Sequence, residues 1–285
     1  HSNPDSFFAK LLSMQLVNTG FTGTGIKYRA RGRRMSGDMN TAIGNIVIML
    51  ILISAFMRHH IKCPKWDVLD DGDDFVLIIE SSWTHRLVSE MAVWLTFGME
   101  MKVDTPVVEV GRVVFCQCSI VEFQTGKFKF VRDYRAVISK SLCGSRNWDN
   151  KKYRQRAIGA IGTCELVLNL GVPVLQAFGQ CLVRNGCGTR DLRHAPANLA
   201  VRALRDLRAI GVSIDDLTPQ QVQPCARLSF ALAFGLDPVK QVELENFFHG
   251  WVINFDQVAA VECEIEPVCW TMFNTVEERC PVWND

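Results

Sequence analysis

The apolar positions change period along the chain, and the change divides it. Phe7, Phe8, Leu11, Leu12 and Met14 recur at helical spacing behind Asn3, a residue suited to capping, and Pro4, which suits a first helical turn. They predict a helix that Gly20 stops. Ile26, Tyr28 and Ala30 then alternate with Lys27, Arg29 and Arg31, the period of a strand, and Arg33 and Arg34 carry the positive charge into a loop. Over 40–57 the residues are apolar on almost every face, so the helix they predict is expected to be buried. Val68 and Leu69, then 75–79, predict the two strands of a hairpin whose turn is Asp70-Asp71-Gly72-Asp73-Asp74. Ser82 is placed to cap a helix through Leu87, Met91, Trp94 and Leu95 that ends at Gly98, and 99–103 reads as a returning strand. Short strands over 113–116 and 120–123 close this mixed part. Beyond Gly126 helical spacing takes over, in segments at 151–170, 172–184, 196–210, 226–235 and 238–249 parted by Gly and Pro. The whole predicts an α+β chain: a small antiparallel sheet with packed helices over 1–125, then an all-helical part over 126–285.

Composition changes this picture little. With 285 residues, 48% of them apolar, the chain can fill a globular core and is not a disordered one. A formal net charge of +1 gives no global sign of nucleic-acid binding, so any RNA contact must use local patches. Lys27, Arg29, Arg31, Arg33 and Arg34 form one such stripe, open to reading as a solvated strand face or as a phosphate contact. Arg202, Arg205 and Arg208, preceded by Arg184, Arg190 and Arg193, form another, able to follow a duplex backbone without reading its sequence. The eleven cysteines are odd in number, scattered and never in a CxxC pair, which favours reduced thiols in a cytosolic protein. His59, His60 and Cys63 lack a fourth ligand for zinc. The apolar run over 46–57 falls short of the ~20 residues of a membrane span, so a core helix is expected and no transmembrane segment. His1 is not an initiator methionine and no leader follows it, so the chain is expected to begin inside a longer reading frame.

The chemistry concentrates at the predicted hairpin tip. Two adjacent acids, Asp73 and Asp74, would repel one another between apolar strands unless water or a cation answers them. Magnesium takes carboxylate oxygens together with substrate phosphates, and paired ions can flank a reacting phosphate. Standing alone, Gly72-Asp73-Asp74 is better explained as a solvated acidic turn, and its neighbours have to decide. An EF-hand is excluded by spacing, since counting from Asp67 puts Leu69 and Ile78 where oxygen ligands are required, and no P-loop string occurs. Upstream, Ser36-Gly37 leads into the apolar helix, on which Thr41 and Asn45 share a face four residues apart. Each alone could satisfy backbone groups. A hydroxyl and an amide converging near a metal site would also suit recognition of a ribose 2′-OH, which both donates and accepts.

Taken together, these residues resemble a known family. Ser36-Gly37-x3-Thr41-x3-Asn45 resembles polymerase motif B of positive-strand RNA viruses, and Gly72-Asp73-Asp74 resembles motif C. The string from Arg34 and Met35 through Ser36, Gly37, Asp38, Met39, Asn40 and Thr41 is most similar to the tombusvirus-like RNA-dependent RNA polymerases. Phe97-Gly98-Met99-Glu100-Met101-Lys102 is similar to motif D, and Phe115-Cys116-Gln117 to motif E, in the family's order and spacing. The stretches Ala160-Ile161-Gly162-Thr163-Cys164-Glu165-Leu166 and Gly171-Val172-Pro173-Val174-Leu175-Gln176-Ala177-Phe178 are similar to that group as well. The resemblance implies a partial right-hand polymerase: palm remainder over 1–125, helical thumb over 126–285. It implies template-directed ribonucleotidyl transfer to an RNA 3′ end by a two-metal mechanism, in viral genome replication. Asp73 would be the principal ligand of Mg2+ (or Mn2+) and Asp74 a secondary one. Thr41 and Asn45 would help select ribonucleotides, Ser36 and Gly37 would form a mobile loop, and Lys102 would protonate the departing pyrophosphate. Phe115, Cys116 and Gln117 would support the growing strand's end, and Arg31, Arg33 and Arg34 would contact RNA. The implied partners are RNA template and product, NTPs, and the upstream fingers and motif A segment of the same reading frame. The implied place is the host cell cytoplasm, at membrane-associated replication sites reached through other segments.

One departure accompanies the match. The family's motif A carries a further pair of aspartates, whereas Asp5 is the sole acid before Asp38, at a helix start where a carboxylate suits the dipole. The expectation is a fragment that binds metal weakly and polymerises nothing alone. A reverse transcriptase is the nearest alternative enzyme, against which Asp71 stands where that group has an aromatic residue. A non-catalytic RNA-binding replication scaffold is the alternative from another class.

Overall fold

The computed structural model describes residues 6–22, 24–35, 37–38, 40–143, 150–186 and 191–256, with the backbone of 260–262 and 269–271. Its contacts divide into two compact units, His1–Pro106 and Val107–Asp285. Each has its own core.

In the first unit, helix α1 (Ser6–Met14) gives way to strand β1 (Val17–Phe21), antiparallel to β2 (Lys27–Arg31). Asn3 and Pro4 lie outside the described residues. Gly20 does not stop the helix as expected: it sits within β1 opposite Tyr28, whose ring occupies the space a Cβ would need. Helix α2 (Thr41–Phe56) runs on through a π turn (Met57–Ile61) to Lys62, which ends it with φ +62°. The expected all-round burial is corrected. Met49, Ile53, Phe56, Met57 and Ile61 are buried, while Ile43, Val47, Ile48 and Ile51 are exposed. The buried side of α2 packs on strands β3 (Trp66–Asp70) and β4 (Phe75–Ile79) and the turns after them. Helix and π turn together span 21 residues, long and apolar enough to cross a membrane by length and composition, so the shorter 46–57 run understated the element. Its buried face packs as a core helix does, on Trp66, Val68, Phe75, Leu77 and Trp94.

β3 and β4 form the predicted antiparallel hairpin, in register from Trp66 opposite Ile79 to Asp70 opposite Phe75. The single helix expected after Ser82 is instead three pieces, a 3-10 turn (Ser81–Trp83), α3 (Thr84–Ser89) and a 3-10 segment (Met91–Phe97), closed at Gly98 with φ +76°. Residues 99–103 form no strand. Aromatic crowding explains the break, because Trp94 must meet Phe56, Phe75 and Phe97 at once, with ring centroids 5.4, 6.0 and 5.7 Å away.

In the second unit β5 (Val114–Phe115), β6 (Cys118–Gln124) and β7 (Lys127–Arg132) make an antiparallel sheet, followed by α4 (Tyr134–Ser141) under an Asp133 cap. The region beyond residue 126 is therefore not all-helical, and the sheet packs with the helices that follow it. The five predicted helices are present as α5 (Lys151–Leu168), α6 (Leu175–Asn185), α7 (Ala197–Ile210), α8 (Pro224–Phe234) and α9 (Pro238–Gly250). A short antiparallel pair, β8 (Ala260–Glu262) and β9 (Cys269–Thr271), lies beyond them. α8 lies on β6, where Ser229 Oγ accepts the Glu122 N–H at 2.9 Å. α5 and α6 approach to backbone contact. A Cβ on Gly162 would stand 2.6 Å from the Val183 nitrogen, and one on Gly179 2.7 Å from that of Leu166. Arg132 of β7 donates to the buried Glu165 of α5 at 2.6 Å, and Asn169 donates to the same carboxylate oxygen at 3.1 Å. Burial still pushes the Glu165 carboxyl upward, against the pull of Arg132.

Candidate functional site

The hairpin tip is built by its glycine. Gly72 adopts φ +91°, open to it without strain, and the turn closes through Asp71 N–H to Asp74 O at 2.9 Å and Gly72 N–H to Asp70 Oδ1 at 2.8 Å. Asp73 and Asp74 are exposed. Asp70, which shares the inner face of β3 with Trp66 and Val68, is half-buried, and its Oδ2 is buried with no hydrogen-bond partner among the described residues. Burial, reinforced by the neighbouring Asp71 charge, holds the Asp70 carboxyl above the usual carboxylate range despite the Gly72 N–H.

Gly72 also lets α2 come close. A Cβ there would stand 3.1 Å from the Asn45 Cβ, so the amide lies against the acidic tip. Thr41 begins the same helix, but its hydroxyl donates back to Met35 O at 3.2 Å, within a loop that Met35 N–H to Asp38 Oδ2 at 3.0 Å also ties. Gly37 bends this loop at φ +92°, and Ser36 lies outside the described residues. Arg34 turns from the basic stripe onto the helix, donating through Nη1 to Asn45 Oδ1 at 2.8 Å and to Thr41 O at 3.4 Å. Arg31 and Arg33 are exposed. The structure places Asn45 against Gly72 of the tip, and sequence reasoning missed the burial of Asp70 and the attachment of Arg34. Alternation along β3 carried the signal for Asp70.

An acidic tip and an amide-bearing helix with this loop before it belong to a likeness that runs along most of the sequence. The family described as viral RNA dependent RNA polymerase matches residues 1–256. The chain belongs to that family. Among relatives, the RNA-directed RNA polymerase of Turnip crinkle virus is 34% identical over 84% of this chain and 30% of its own length. Those of Melon necrotic spot virus and Carnation mottle virus are 30% and 31% identical, each over 94% of this chain and 34% of theirs. The chain therefore spans about a third of the polymerases it matches.

The other residues of the polymerase resemblance lie on other segments of the chain. Lys102 is exposed on the irregular stretch after Gly98. Phe115, Cys116 and Gln117 belong to the second unit, where Cys116 and Gln117 form the two-residue turn from β5 to β6 with φ +52° and +59°. Two non-glycine residues in left-handed conformation cost about 1–2 kcal/mol each. Phe115 packs on Phe130 with centroids 6.0 Å apart. Arg184 is spent on the end of α9, donating to Phe248 O at 2.8 Å and Trp251 O at 3.1 Å, and Arg193 pairs with Asp191 at 2.7 Å. Arg190 lies outside the described residues. Among the described residues no three His, Cys, Asp or Glu side chains converge on one ion position. His60 stacks on Phe56 and Cys63 donates to Lys65 O.

Proposed function

We propose that this chain carries part of the nucleotide-adding centre of a viral RNA-dependent RNA polymerase, with the palm in its first unit and the thumb in its second. The observation that supports this is the apposition of Gly72 and Asn45, which sets an amide able to address a ribose beside a pair of solvent-facing carboxylates. The tip's chemistry suits a hard divalent cation, since Asp73 and Asp74 are exposed carboxylates, the hard oxygen donors such an ion takes together with substrate phosphates. Asp73, with Asp74, would hold magnesium or manganese, which supplies charge stabilisation at the reacting phosphate when bound. Lys102 would deliver a proton to the leaving pyrophosphate, Phe115, Cys116 and Gln117 would support the strand being extended, and Arg31 and Arg33 would meet RNA phosphates. The substrates are RNA template and NTPs, and the remaining acids of the site belong to other parts of the polymerase.

The test is Asp73→Ala in the complete polymerase that contains this chain, assayed by primed RNA extension with magnesium. Loss of synthesis by at least about a thousandfold, as expected for removing the principal ligand of the ion that stabilises charge at the reacting phosphate, supports the reading. Synthesis that persists would instead make the tip vestigial and the chain an RNA-binding scaffold. A preference for dNTPs over NTPs in the unaltered enzyme would favour a reverse transcriptase.

A further inference from the structure

We infer that Arg34 is a positioning residue for ribose selection: it fixes the Asn45 amide so that its donor side faces the acidic hairpin. The inference rests on the proposed role of Asn45 and adds to it a residue outside the ribose contact itself.

Three observations carry it. Arg34 Nη1 lies 2.8 Å from Asn45 Oδ1 and 3.4 Å from Thr41 O, so one guanidinium holds both the helix start and the amide. A guanidinium only donates, so the amide atom facing it has to be the oxygen, which settles which way the side chain is turned. Nδ2 then points the other way, 4.0 Å from where a Cβ on Gly72 would stand. The third observation is the seat. Thr41, Gly44 and Asn45 lie on one strip of α2, and a Cβ on Gly44 would run into the Arg34 guanidinium. Glycine weakens a helix interior, and here it makes room for the arginine to lie flat on the helix and reach Asn45.

The chemistry follows from which face is occupied. With Oδ1 taken, Asn45 presents the tip with a donor. A ribose 2′-hydroxyl can accept from it, and a 2′-deoxyribose offers nothing in that place. Released from Arg34, the amide is free to turn, and the site loses the arrangement that distinguishes the two sugars. This also assigns Arg34 a task other than the phosphate contact proposed for Arg31 and Arg33.

The experiment measures extension efficiency with NTPs and with 2′-dNTPs in the complete polymerase. Arg34→Met keeps the aliphatic stem and removes every donor; Gly44→Ala keeps Arg34, favours the helix and evicts the guanidinium from its seat. Both are expected to lower NTP efficiency on the order of tenfold, one hydrogen bond's worth, while dNTP efficiency stays unchanged. Neither is expected to lower discrimination further when added to Asn45→Ala. A merely structural role would depress both substrates together, and that result overturns the inference. So would unchanged discrimination with weaker RNA binding and a shallower salt dependence, the signature of a lost phosphate contact. Should Asn45→Ala by itself leave discrimination intact, the assignment of Asn45 fails and the role of Arg34 fails with it; should only the Arg34 and Gly44 variants be silent, the inference alone fails.

Discussion

At the scale of single residues, the hairpin shows how one period-two step separates a solvated acid from a costly one. Asp73 and Asp74 stand in water at the tip, whereas Asp70 points inward with Trp66 and Val68 and leaves Oδ2 buried. Burial first, and the Asp71 charge after it, raise its carboxyl above the ordinary value of 3.8. An acid whose folded pKa is raised favours the fold fully while it is protonated in both states, below the unfolded value. That advantage is lost as pH rises through the folded pKa. At neutral pH the Asp70 carboxyl therefore weighs against the fold. Asp70→Asn keeps an oxygen for the Gly72 N–H and removes the charge. It is expected to raise the Tm at neutral pH by more than it raises the Tm near pH 4; thermal unfolding at both checks it, and a lower neutral Tm refutes it. The acids of the tip were legible in the sequence because a glycine between carboxylates marks a turn. The cost at Asp70 was not, since alternation names the residues sharing a face but not which face another element covers.

At the scale of elements, the long periodic helices were legible and the crowded ones were not. α5, α6, α7, α8 and α9 stand within a few residues of their predicted bounds, because Asn, Asp, Pro or Gly stands at or beside their ends. α2 misled because a helix apolar on all sides does not disclose how many neighbours it has; in this structure Ile43 is 71% exposed and Ile53 1%. The stretch after Ser82 misled because Trp94 serves three aromatic partners, a tertiary demand that no local pattern records. The glycines of α5 and α6 carry the sharpest prediction at this scale. Gly162 and Gly179 face backbone rather than flexible side chains, so an added methyl cannot be accommodated by a rotamer change. Gly162→Ala and Gly179→Ala should each destabilise the chain by about 1–3 kcal/mol, although alanine is the better helix former, as read from urea or thermal unfolding. Unchanged or increased stability would mean that the two helices do not approach this closely.

At the scale of the whole chain, the two units differ in how much they bury. The first rests on one cluster around Met49, Ile53, Phe56, Met57, Ile61 and Trp94, and its α1 and β1–β2 segments leave Phe7, Met14 and Phe21 65%, 67% and 71% exposed. The second has a continuous core from Val121 and Tyr134 through Phe178 and Phe230 to Phe248, a further cluster between α5 and α7, and the Arg132–Glu165 pair joining strand to helix. The contacts part after Pro106 because β7 pairs with β6 and draws the sheet into the helical unit; its Lys-Phe-Lys-Phe alternation was a strand signal that the helical periodicity further on obscured. Regions with little buried apolar contact open at lower free energy than a packed core. Amide hydrogen exchange should therefore be slowest in the facing turns of α5 and α6 and fastest in α1 and the β1–β2 hairpin, with α2 between them, protected at Ile53 and Phe56 and less so around Ile43. The loop bearing Arg34 joins the loosest segment to the start of α2, so its grip on Asn45 depends on hydrogen bonds to Asn45 and Thr41 rather than on burial. Arg34→Met is accordingly expected to speed exchange at the amides of the first turn of α2 while leaving those of α5 and α6 unchanged. Equal acceleration across both units would show that the arginine supports the fold at large instead of one side chain.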